Sequence, residues 1–125
     1  MGAINKVTAN QLMHIAGVSA KQYKKVPWHT TTITVRQLLP ANEYYDLIDH
    51  IISDCQTPEG TLAIELLDLS TKANIVGAYA FVDLPKDYDK LFYLIYSSDL
   101  YKTVCSAICP EQLDAIMKTI NLYVR

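Results

Sequence analysis

The sequence predicts a mainly α-helical protein: a bundle of four to five helices, preceded by a short β element and a basic N-terminal arm. Three observations lead there. Beyond Pro40, apolar residues recur three and four apart, the period of helices with one face in a core. Between His29 and Leu38 a run of β-branched residues breaks that period. The charge is also unevenly divided. Residues 1–36 carry Lys6, Lys21, Lys24, Lys25 and Arg36 and no acidic residue, a charge of +5. Residues 37–125 carry the other six basic residues and all 13 acidic ones, a charge of −7, and the two halves sum to the net −2 of the chain. The 125 residues thus divide into an arm over 1–28 and a β element plus helical domain over 29–125.

Taken in order, Thr8 and Gln11 have the spacing of a capping box. They open a helix over 8–22 whose narrow stripe is Leu12, Ile15 and Ala16, and Gly17 makes a shorter helix ending there an equal alternative. Pro27 forces Val26 into an extended conformation, so Lys21–Trp28 reads as a linker with an exposed or docking Trp28. In His29–Leu38, Ile33 and Val35 alternate with Thr32 and Thr34, giving one apolar and one hydroxyl-bearing face. The backbone of a single strand needs a partner. Residues 18–26 offer a weak one; otherwise the partner is a strand of another molecule.

Pro40 suits the first helical position, with Glu43 and Asp46 near the positive end of the dipole. Tyr44, Leu47, Ile48, Ile51 and Ile52 form a stripe running to about Asp54, and Thr57-Pro58-Glu59-Gly60 makes a turn. A long central helix over 62–82 follows, its run Ala73–Val82 buried on most sides, with Leu62, Leu66, Leu69, Ala73, Val76 and Ala80 on one face and an Asp68–Lys72 ion pair. Leu84-Pro85 ends it. The next helix, over 86–96, turns Tyr88, Leu91, Phe92 and Ile95 inward. Ser97 and Ser98 are cap candidates for a helix to Ile108. Pro110 starts the last helix, whose stripe is Leu113, Ile116, Met117, Ile120 and Tyr123 or Val124.

The composition argues about chemistry mainly by exclusion. Half of the residues are hydrophobic and nine are tyrosines, enough for a core without disulfides or metal. Charged residues make up 19%, below the usual quarter, which favours an oligomer. The three cysteines are odd in number and residues 1–12 have no apolar signal segment, so a reducing cytosol is expected. Ala73–Val82 is about half the ~20 residues of a membrane span. Cys105 and Cys109 have a legal metal spacing, yet His14, His29, His50 and Cys55 supply no second pair at motif spacing, so they read as small buried hydrophobes. No base is placed beside a thiol. Asp83, Asp87, Asp89 and Asp99 lack the order of a calcium loop and read as a solvated face. Four isolated glycines form no phosphate loop. Lys24-Lys25 near Trp28 is chemistry suited to nucleic acid, but five charges over 36 residues are sparse and the acidic body repels phosphate. Tyr44, Tyr79, Tyr88, Tyr93, Tyr96 and Tyr101 read as core-edge residues, some of them interface anchors. No catalytic residue, cofactor or metal is expected.

The stretch ANIVGAYAFVDLPKDYDKLFYLIYSSDLYKTVCSAICPEQLDAIMKTINLYV (73–124) resembles small proteins encoded among the virion and tail genes of phages infecting Firmicutes. The likeness rests on an Ala- and Tyr-rich helix ending at Leu84-Pro85, a segment from Tyr88-Asp89 through Tyr96-Ser97-Ser98-Asp99, and a closing helix from Gln112 to Val124. Upstream, a β segment leading into Leu38-Leu39-Pro40, the acidic helix Glu43–Cys55 and Glu59 in the turn after it extend the likeness to residues 30–125. The strand-then-helices layout is also similar to that of phage tail assembly chaperones. The resemblance implies no catalytic residue.

The function expected is that of a non-enzymatic phage structural or morphogenesis protein, a virion component or tail assembly factor in the virion or the host cytoplasm. It would bind other phage structural proteins or itself, with no membrane partner. Trp28 is the expected anchor, Ile33 and Val35 the apolar strand face, and Lys21, Lys24, Lys25 and Arg36 the groups steering toward an acidic surface. Two alternatives stand beside it. One is a phage-encoded inhibitor of a host defence nuclease, presenting Glu43, Asp46, Asp49 and Asp54 on one helix. The other is a small cytosolic enzyme of unknown reaction using His50 or Cys55.

Overall fold

A computed structural model gives the fold; it describes residues 6–17 and 22–124. The protein is mainly helical, with a short two-stranded antiparallel sheet. In chain order the elements are α1 (Ala9–Ala16), β1 (Tyr23–Trp28), β2 (Thr31–Arg36), α2 (Ala41–Ser53), a 3-10 turn (Ile64–Leu66), α3 (Leu67–Tyr79), α4 (Tyr88–Tyr96), α5 (Leu100–Cys105) and α6 (Pro110–Tyr123).

α1 takes the shorter of its two predicted forms. Thr8 Oγ1 accepts from the Gln11 N–H at 3.2 Å, and Gln11 Oε1 accepts from the Thr8 N–H at 2.8 Å. Gly17 closes the helix at φ 65°, a left-handed conformation that costs glycine little. No residue of α1 is buried.

The expected linker is a strand. β1 pairs with β2 in a register that sets Val26 opposite Ile33 and Lys24 opposite Val35. The predicted boundary at 28/29 therefore falls in a two-residue hairpin turn, where His29 has φ 52°. Pro27 is compatible with the strand because of phase. The Gln37 N–H donates to the Gln22 carbonyl at 2.9 Å. Antiparallel pairs alternate, so residues 22, 24, 26 and 28 face β2 with their backbone groups, while 23, 25 and 27 face away. Proline thus sits where no ladder donor is needed. Of the two partners the sequence leaves open for β2, the one within the chain is realised: β1 overlaps the weak candidate at 18–26, of which residues 18–21 lie outside the described residues, and both sides of β2 are engaged within the chain. On the far side from β1, Val35 forms a bridge with Ala80, and the Phe81 N–H donates to the Thr34 carbonyl at 3.0 Å.

That recruitment of Ala80 and Phe81 also ends α3 earlier than predicted. Its start is delayed because the chain around the turn closes on itself: Gln56 bridges Leu62 and the Ala63 N–H donates to the Cys55 carbonyl at 2.7 Å. What remains of the long helix is thirteen residues that bury Leu69, Thr71, Ala73, Ile75, Val76 and Tyr79, so it is enclosed on most sides as expected. It packs against α2, α4 and α5, while α6 packs on α2 and α5 on β1. The α2 stripe is as predicted, with Leu47, Ile48 and Ile51 buried. In α6, Ile116 and Ile120 are buried, but Tyr123 and Val124 stay exposed. α4 departs most: Ile95 is buried, but Tyr88 and Phe92 are not.

Polar bonds tie distant segments together. Gln112 of α6 accepts from the Leu39 N–H at 2.8 Å and the Tyr79 hydroxyl at 2.6 Å, and donates to the Leu39 carbonyl at 3.0 Å. The Cys109 N–H donates to the Gln37 carbonyl at 2.9 Å.

Candidate partner-contact surface

The residues expected to meet a partner divide into those committed inside the molecule and those left outside. Ile33 and Val35 are committed. They are 5% and 0% exposed, and their side chains fill the chain's own core with Val26. Arg36 is committed too: its guanidinium donates to both carboxylate oxygens of Glu43, at 2.8 and 3.0 Å. This paired geometry is the strong form of a carboxylate contact. It holds the Glu43 carboxyl below its ordinary range. Trp28 docks, but on its own chain. It is half-buried, and its indole N–H donates to Asp99 Oδ1 at 2.7 Å. Asp99 precedes α5 without capping it, its carboxylate being taken up by Trp28. Lys21 lies outside the described residues.

Lys24 and Lys25 remain, both exposed on β1. Beside them lies an aromatic pair that the sequence did not single out. Tyr23 and Phe81 are 53% and 63% exposed, with ring centroids 5.8 Å apart. Phe81 reaches the hairpin only because the end of α3 is stitched to β2. No local pattern announces that contact. The hairpin thus presents a cationic strand edge, an exposed aromatic pair and the hydroxyl row of Thr32 and Thr34.

A second surface is aromatic. Tyr88, Phe92, Tyr93 and Tyr96 are all exposed on the nine-residue α4. Phe92 lies 4.9 Å from Tyr96 and 6.1 Å from Tyr93, centroid to centroid. At its edge the Lys72 ammonium sits 5.1 Å from the Tyr96 ring and 5.6 Å from the Tyr101 ring, while pairing with Asp68 at 3.1 Å. The Tyr96 hydroxyl also donates to Asp68. Burial pushes the Asp68 carboxyl up, but the bonds from Tyr96 and Lys72 outweigh it and the net shift is downward. Burial, with that bond to Asp68, raises Tyr96 to about 12, so it remains the donor. Tyr88, Tyr93 and Tyr96 are therefore more exposed than core-edge residues, whereas Tyr79 is fully buried with its hydroxyl bonded to Gln112.

The other candidate groups are dispersed. A groove of about 400 Å³ between α2 and α3 is lined by Glu43, Asp46, His50 and Asn74, with apolar residues between. Of the four acids expected on one helix, Glu43 is paired with Arg36 and Asp54, just past the end of α2, accepts from Asn74 at 3.0 Å, leaving Asp46 and Asp49 facing solvent. Cys55 is fully buried, and burial raises its thiol, which holds it protonated. Cys105 is half-buried and likewise raised by burial. Asp87 caps α4 by accepting from the Lys90 N–H at 2.9 Å. Among the described residues no three His, Cys, Asp or Glu side chains converge on a point where a metal ion could sit. No helix among them is long and apolar enough to cross a membrane. In comparisons with known proteins, no family model, no curated protein and no solved structure matches this chain.

Proposed function

We propose that the chain is a non-enzymatic phage structural or morphogenesis protein that works through protein–protein contacts. The observation that carries this reading is the concentration of exposed aromatic side chains on α4. Four large rings on one short helix form the kind of patch that a monomeric protein seldom leaves in water, and tyrosine is a residue type that interfaces favour. The cationic hairpin adds a second contact region of opposite charge to the acidic helices. The resemblance of residues 30–125 to small virion and tail proteins supports the same reading. In it the helices act as a bundle-like scaffold, and α1 with the hairpin acts as the basic arm toward a neighbour. Exposed Leu12, Met13 and Ile15 give α1 an apolar face for that purpose.

The test is association. Sedimentation at rising concentration, with pull-downs against virion proteins, is expected to show self-association or capture of a structural protein. Replacing Phe92 and Tyr93 with serine is expected to abolish it. A chain that stays monomeric at high concentration and captures no virion protein overturns the reading.

A further inference from the structure

We propose that the outer edge of β1 is a strand-addition site for an extended acidic segment of a partner protein. The proposal rests on the protein-contact reading above and names the mode of contact. The register and the Gln37–Gln22 bond place the N–H and C=O of Tyr23 and Lys25, and the C=O of Pro27, on the side of β1 away from β2. Among the described residues none of these backbone groups has a backbone hydrogen-bond partner outside the hairpin. The opposite edge of the sheet differs: there Thr34 is bonded to Phe81 and Val35 is bridged to Ala80. Among the described residues one edge is closed and the other open.

The chemistry of the occupant follows from what borders the open edge. Successive strand residues point to opposite faces, so Lys24 and Lys25 flank it on both sides of the sheet. Arg36 and Trp28 already hold carboxylates, Glu43 and Asp99, while the two lysines form no ion pair among the described residues. Pairing of two β1 edges from two copies would set these lysines against each other, and like charges across a strand pair are destabilising. An incoming strand with adjacent acidic residues satisfies both lysines at once. An apolar residue two positions along would meet Tyr23. Pro27 limits the paired length to the Tyr23–Val26 side.

A fluorescein-labelled peptide, acetyl-Thr-Val-Asp-Glu-Val-Thr-amide, and its Lys-Arg twin test this on the full chain. The acidic peptide is expected to bind saturably and at least about tenfold tighter than the twin, more weakly as salt rises. Amide exchange of the unmodified protein is expected to slow at Tyr23 and Lys25 with peptide bound, and to stay unchanged at Lys24 and Val26, which already bond to β2. Lys25→Pro deletes an outward donor and no β1–β2 bond, so it is expected to abolish binding where Lys25→Gln only weakens it. The exchange readout decides the question even if the proline variant unfolds the hairpin. Equal binding by Lys25→Pro and Lys25→Gln, or no slowing at Tyr23 and Lys25, overturns the proposal. So does slowing of these amides on self-association without peptide, which assigns the edge to a second copy, or displacement of the peptide by oligothymidylate. If the aromatic face of α4 still drives association while the peptide fails, the edge alone is refuted and the protein-contact reading stands.

Discussion

Two helices of this chain form for opposite reasons. α1 is finished by its own residues: a reciprocal capping box at one end, a left-handed glycine at the other, and nothing buried between them. α3 has no side-chain cap at either end, yet it buries six residues and is enclosed by α2, α4 and α5. Caps say where a helix can begin and stop. Burial says whether the rest of the molecule depends on it. The first kind of information is local and lies in the sequence; the second depends on which segments meet, and α3 gains its neighbours only after folding.

The sharpest test of that contrast is to cut into α3. Ile75 is fully buried, and Ile75→Ala is expected to cost about 2–5 kcal/mol in chemical denaturation, unfolding hairpin and helices together. A small loss confined to α3 would mean that the helix is not the centre of the fold. Next in size is Gln112→Leu, which asks whether a polar clasp does for the periphery what apolar burial does for α3. The change strands the Leu39 N–H and the Tyr79 hydroxyl, and is expected to cost about 2–3 kcal/mol in the same measurement. Tyr79→Phe, which removes a donor but leaves Gln112 its contacts with Leu39, is expected to cost about 1 kcal/mol.

A third test uses pH to probe the junction of hairpin and α2. The bidentate bond from Arg36 lowers Glu43 from its ordinary value of 4.5. A carboxyl with a depressed folded value adds stability above its unfolded value, and that stability is lost as pH falls through the folded one. The stability difference between the natural chain and Arg36→Gln is therefore expected to be full above 4.5 and to shrink below it, as followed by denaturant melts across acid pH. A difference that persists unchanged into acid would show that Arg36 acts through its stem and not its charge. The smallest effect is expected from Thr8→Ala in α1. It removes about 1 kcal/mol from the local helix, visible as loss of amide protection at residues 9–16, while global stability moves by less than about 0.5 kcal/mol. A large global loss would show that α1 is docked on the body.

Legibility in the sequence followed the same division. The capping box, the Pro110 start, the α2 stripe and the Asp68–Lys72 pair are readable, because each is complete within a few residues, whereas Pro40 lies one position ahead of the first helical residue where it is expected. Lys21–Trp28 reads as a linker, and 18–26 as no more than a weak strand, because Pro27 makes Val26 extended without showing what it pairs with. Its pairing depends on a phase that only the partner strand sets. The sequence predicts a longer α3 because the period continues through Ala80, while the competing claim on Ala80 comes from Val35, 45 positions earlier. At the candidate surface, Lys24 and Lys25 are legible as cations that could steer a partner, and among the described residues they form no ion pair. The alternation of Ile33 and Val35 marks an apolar face without saying whether it meets a partner or the chain's own core, and the structure turns it inward. Phe81 and Gln112 carried no signal of their own, since each matters only through partners far along the chain.

The bonds from Trp28 to Asp99 and from Leu39 to Gln112 span 71 and 73 positions. On a ribosome the hairpin leaves the exit tunnel long before the residues that clamp it have been made. Most of the chain must be synthesised before its first sheet is secured, and for that interval the nascent polypeptide shows an unguarded β-ribbon to every chaperone nearby.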